Sequence, residues 1–140
     1  MRRIYMLLLL GLVCFACNGP EIGYLKTENA GYLPNNLSVR KTLDPVEDAK
    51  RIENDAPWVT GRIQGVLGTN PLIYSFVSVK APSEEAAKIF AKEIVVRGSG
   101  ILELPLKTEL PVGDYVITIK VSNEGYSDIL ADVFTFTVQE

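Results

Sequence analysis

Leu110-Pro111-Val112-Gly113-Asp114-Tyr115-Val116-Ile117-Thr118-Ile119-Lys120-Val121-Ser122 runs into the turn residues Asn123-Glu124-Gly125, and Val133-Phe134-Thr135-Phe136-Thr137-Val138 follows near the C-terminus. Tyr115, Ile117, Ile119 and Val121 recur every second position, as do Phe134, Phe136 and Val138. A period of two puts each set on one face of an extended strand. Two such strands with a buried face must be covered by a second layer, which makes an antiparallel sandwich the natural solution.

Working upstream, Leu72 to Val79 carries Ile73, Tyr74, Phe76, Val77 and Val79, a β-branched and aromatic run that predicts a strand. Shorter strand signals lie at Leu37–Arg40, Trp58–Ile63, Ile94–Arg97 and Ile101–Leu104, bounded by turn residues such as Gly65, Gly68, Asn70, Pro71 and Gly98-Ser99-Gly100. Two helical inserts interrupt them. Asp44-Pro45-Val46-Glu47 has the form of a capping box with proline at the first helical position, and a short helix is expected to end before Asn54. Ser83 can cap a second helix through Lys92, with Glu84 and Glu85 in its first turn and Ala86, Ile89 and Phe90 on one face. About seven strands with one or two short helical inserts define an all-β fold in one domain.

The N-terminus reads differently. Arg2 and Arg3 precede an apolar run from Ile4 to Val13, too short to span a bilayer but fitting the core of a secretory signal. Cys14-Phe15-Ala16-Cys17 follows, and a small residue before a cysteine at this place resembles a bacterial lipobox. That resemblance implies cleavage before Cys17 and its diacylation, an anchor to the membrane. Asn18 does not resemble the aspartate that retains lipoproteins at the inner membrane, so the outer membrane is the expected address, periplasmic or surface-facing. The expected organisation is a signal peptide over 1–17, a tether and first-strand region over 18–34, and the sandwich over 35–140. Gly23-Tyr24-Leu25 recurs as Gly31-Tyr32-Leu33, which reads as coincidence within that first-strand region.

Composition narrows the chemistry. There is no histidine, which excludes the usual triads and histidine metal sites, and both cysteines lie in or beside the leader, so the mature domain has no internal disulfide. Net charge is −3, and losing Arg2 and Arg3 would take it to −5, the wrong sign for a nucleic-acid partner. Glu47 with Asp48, Glu84 with Glu85 and Asp128 with Asp132 are acid pairs, but they read as solvated faces and helix starts, not as glycosidase acids set across a cleft. No phosphate-binding loop, cofactor motif or metal cluster is present. The expectation is a protein without catalytic residues or cofactor.

The stretch from Leu110 to Asn123 with Phe134–Val138 resembles the immunoglobulin-like and cadherin-like domains of bacterial surfaces. In that resemblance Gly113 and Tyr115 form a tyrosine corner, the phenol bonding back to backbone just upstream. Asn54-Asp55-Ala56-Pro57 departs from the cadherin calcium motif in lacking its flanking acids, and no cysteine pair bridges the sheets. Together with the leader, Ala56-Pro57-Trp58 and Gly65–Thr69, the layout is similar to small Bacteroides-type lipoproteins and to the anchor domains of glycan-uptake lipoproteins. That implies an accessory binding or scaffolding role in glycan uptake or surface assembly, with a glycan or an envelope protein as partner. Aromatic rings stack on sugar faces, which makes Tyr126, Tyr24, Tyr32 and Trp58 the candidate ligand-binding residues, with Tyr74 a further ring. Tyr126 lies beside a turn glycine and is the first choice; Trp58 also suits a core. The alternative is an architectural or adhesive module of a pilus or matrix, working by exchange of the strand Val133–Val138.

Overall fold

The computed structural model describes residues 22–140. The leader and the lipobox at Cys17 lie outside the described residues. Among those described, the strands are β1 (Leu25–Lys26), β2 (Asn36–Arg40), β3 (Trp58–Val59), β4 (Leu67–Gly68), β5 (Ile73–Lys80), β6 (Val95–Val96), β7 (Leu102–Leu104), β8 (Gly113–Ser122) and β9 (Ser127–Gln139). The helices are α1 (Ala49–Glu53) and α2 (Glu84–Glu93). One sheet runs β2-β9-β8-β5, the other β3-β7-β6, and β1 and β4 make a separate ribbon. The two main sheets hold seven strands, and the fold is an all-β sandwich with short helical inserts.

The core follows the alternation. Tyr115, Ile117, Ile119 and Val121 of β8 are fully buried, and Phe134, Phe136 and Val138 of β9 nearly so. They meet Trp58, Leu102 and Leu104 of the facing sheet in one cluster. Phe90 of α2 stacks on Tyr115, with ring centroids 5.4 Å apart and planes within 12°. This is how the second helix closes one side of the sandwich: it places its apolar face over the aromatic row. Ser83 Oγ accepts from Ala86 N at 3.1 Å and caps that helix. Tyr115 Oη donates to the Pro111 carbonyl at 2.8 Å, tying the loop before β8 to the strand that follows it.

Several elements depart from the pattern. β2 pairs with β9 in parallel, so the larger sheet is mixed. β9 starts six residues before the expected Val133: Asp128, Ala131 and Asp132 are poor strand formers, yet they are carried by a β-bulge at which Asp132 takes a φ of 51°. The Trp58 strand stops at Val59, since Ile63 instead donates its N–H to Ser99 O as the chain leaves the sheet. Asp44 does cap a turn, Oδ1 accepting from Val46 N at 2.7 Å and Glu47 N at 2.9 Å, but Glu47 turns away to Arg40 and α1 begins only at Ala49. Within the first-strand region, β1 pairs with β4 and Tyr32 packs into the core.

The strand-exchange alternative does not survive this topology. Val133–Val138 lies inside the sheet, bonded to β8 on one side and β2 on the other. Donating it to another molecule would break two ladders of hydrogen bonds at once.

Candidate functional site

The five rings separate by burial. Tyr32 is 6% exposed, and its hydroxyl donates to Gly100 O inside the protein. Burial, with Tyr74 nearby, pushes that phenol well above its ordinary pKa. Trp58 is 5% exposed, its Nε1 donating to Leu106 O at 3.3 Å while Arg51 covers the ring at 4.1 Å. Tyr74 faces inward because its register partner is the buried Val121, and burial raises its pKa too. Tyr32 and Trp58 are therefore core residues and corrected out of the candidate platform: each ring is spent on packing and each polar atom on a backbone carbonyl.

Tyr24 and Tyr126 remain, 51% and 37% exposed. A single carboxamide brings them together. Asn123 Nδ2 donates to Tyr24 O at 2.9 Å, and Asn123 Oδ1 accepts from Tyr126 N at 3.0 Å and Gly125 N at 3.3 Å. Asn123 N also donates to Tyr126 O, closing the β8–β9 turn. On the other side Tyr24 exchanges bonds with Thr69: its N–H reaches Thr69 Oγ1 at 3.1 Å, and Thr69 N donates to Tyr24 O at 3.0 Å. Thr27 Oγ1 donates to Asp128, a second clasp between the β1 segment and the start of β9. Two tyrosines 102 positions apart thus share one braced end of the molecule.

Around them, alternation along β1 sends Tyr24 and Lys26 to the same side, and Leu67 lies opposite Lys26 across the ribbon. Leu67 is exposed, as is Ile22. The end therefore offers phenol rings, an ammonium and aliphatic groups on an open surface, held by turn and ribbon backbone. Such a surface suits a ligand with alternating CH-rich faces and hydroxyl edges. Asn123 was legible in the sequence only as a turn former; its link to Tyr24 spans 99 positions and no local signal marks it.

Two depressions among the described residues lie elsewhere. One, of about 520 Å³, is lined by Arg40, Glu47, Asp48, Lys50, Arg51 and Ala56. The other, of about 450 Å³, lies between Asp55, Pro57, Glu103, Pro105, Leu106 and Lys107. Neither presents an aromatic ring. In the first, Arg40 is neutralised by Asp48 at 2.6 Å and Glu47 at 3.1 Å, and Arg51 Nη1 donates to Pro57 O at 2.9 Å, so two of its three cations serve the fold.

No protein-family model matches the chain, and no curated protein matches it. Among solved structures it is similar to a SusE-like surface-located polysaccharide-binding protein from the heparin utilisation locus of Bacteroides thetaiotaomicron. The TM-score is 0.52 at 16% sequence identity, over 84% of this chain and 15% of the neighbour. The likeness is one of fold. The chain spans about a seventh of that protein's length.

Proposed function

We propose that this protein is a non-catalytic, lipid-anchored module of the cell envelope that binds glycan through Tyr24 and Tyr126, as an accessory to glycan uptake or surface assembly. The reading rests on one observation above others: the two exposed tyrosines are held at the same end by the Asn123 carboxamide. Cys17 is its lipid attachment point, cleavage between Ala16 and Cys17 leaves that cysteine as the anchored first residue, and the outer membrane is its address. The sandwich is of immunoglobulin-like type, with Gly113 and Tyr115 as its corner. Support comes from the fold shared with a surface polysaccharide-binding protein and from the absence of histidine. No helix among the described residues is long and apolar enough to cross a membrane.

The test is affinity electrophoresis of the acylated protein in detergent micelles against a panel of polysaccharides, with Tyr24→Ala, Tyr126→Ala and the double variant. Ring stacking contributes about 1 kcal/mol per ring, so the double variant should bind roughly thirtyfold more weakly with an unchanged melting temperature. Binding that survives both substitutions, or no retardation by any polysaccharide, would overturn the reading.

A further inference from the structure

The tyrosine end is also the end at which the chain arrives from the leader. Ile22 is two residues before Tyr24, and five peptide steps separate Cys17 from Ile22. Fully extended, five residues span at most about 18 Å. The opposite end is far away: β9 runs 13 residues from Ser127, beside the tyrosine turn, to Gln139, which pairs with Arg40. At 3.2–3.4 Å per residue that is roughly 40 Å. Two acyl chains at Cys17 would hold the domain stably on the bilayer. The short tether would then keep Tyr24 and Tyr126 beside the headgroup layer and turn the Arg40 end outward.

Resting on the glycan-binding reading above, we infer that the ligand of this site is the saccharide headgroup of a membrane-rooted glycolipid, not a free polysaccharide arriving from solution. A sugar rooted in the same membrane meets the rings at high effective concentration, whereas a soluble chain must work its way between the domain and the bilayer. The composition of the end fits that position. Phenol rings sit well at a membrane–water boundary, and Ile22 and Leu67 are exposed at the same end.

The test uses one saccharide in two forms. The acylated protein is placed on phosphatidylethanolamine–phosphatidylglycerol vesicles, either plain, or containing lipopolysaccharide, or plain with the same core oligosaccharide released from its lipid by mild acid. Nitration of Tyr24 and Tyr126 by tetranitromethane is followed by mass spectrometry, and binding of the released oligosaccharide is measured separately in micelles. Lipopolysaccharide in the vesicle should slow nitration of both rings about tenfold, and the free oligosaccharide at matched total concentration should leave them nearly as reactive as on plain vesicles. Equal protection by the free form overturns the inference, as does equal protection on plain vesicles, which would mean docking on bare lipid, or no protection in any arm. If the double variant binds the released oligosaccharide in micelles as well as the native protein does, the tyrosine site itself is wrong; if only the vesicle preference is missing, the site stands and its orientation falls.

Discussion

Asn123 concentrates the most consequence in a single side chain. Its three side-chain hydrogen bonds hold both Tyr24 and its own turn, so Asn123→Ala should loosen the tyrosine end without touching the core. A stability loss of about 1 kcal/mol is expected in chemical denaturation, together with a larger proportional loss of glycan retardation than of stability. Loss of stability with unchanged binding would show that the end needs no bracing. Gly113 makes a complementary case. Its φ of +148° and the collision that a Cβ would make with Pro82 Cγ mean that Gly113→Ala should unfold at clearly lower denaturant than native protein. Tyr115→Phe, which removes only the bond to Pro111, should cost about 1 kcal/mol. Asp44 gives a pH signature. Hydrogen bonds from Glu47 N, then Val46 N, hold its carboxyl below the ordinary value. A depressed folded pKa contributes stability above the unfolded value that is lost as pH falls through the folded one. Native protein should therefore lose stability relative to Asp44→Asn below about pH 4, since asparagine caps without titrating; parallel acid-unfolding curves would refute this. At this scale the sequence told which residues were aromatic but not which were wet. Tyr24 and Tyr32 sit in the same Gly-Tyr-Leu triplet, and only the tertiary position of Gly100 and Phe134 decides that one ring is buried.

Among the elements, α2 shows how much of the fold was legible. Its cap, its acidic first turn and its apolar face were all local signals, and the helix lies at Glu84–Glu93 with Ala86 and Phe90 buried. Phe90 touches the rings of Phe76, Tyr115 and Phe136, so Phe90→Ala should cost about 3–5 kcal/mol, whereas Ser83→Ala should cost about 1 kcal/mol through the lost cap. Urea midpoints that ranked these two in the opposite order would mean the helix is held by its cap and not by its packing. The strands β5, β8 and the second half of β9 were readable for the same reason, a period of two over many residues. The first half of β9 was not, because Asp128 and Asp132 are tolerated there by partners distant in the chain: Thr27 for one, Lys80 for the other. Nor was the parallel pairing of β2, since a five-residue strand carries no signal of its partner's direction.

For the whole molecule, the decisive fact is polarity along the long strands: one end carries the tyrosines and the arriving chain, the other carries Arg40, α1 and the C-terminal residues. With β9 enclosed by β8 and β2, exchange of Val133–Val138 would have to break two ladders, and the protein should sediment as a monomer within detergent micelles. If a short tether is what presses the tyrosine end to the bilayer, a longer one should release it. Inserting about twelve Gly/Ser residues after Asn18 adds a flexible chain with a root-mean-square span of roughly 20 Å, comparable to half the length of the sandwich. The domain could then tip and expose Tyr24 and Tyr126 to solution. On plain vesicles the lengthened protein should take up the released oligosaccharide several times better than the native one, while its melting temperature and its binding in micelles stay the same. The direction of the change separates two causes. If the native preference for a lipid-rooted sugar came from contacts with the lipid itself, lengthening the tether would leave it intact, because the sugar and its acyl chains would still be bound together; only if it comes from confinement does access to the free sugar rise with tether length.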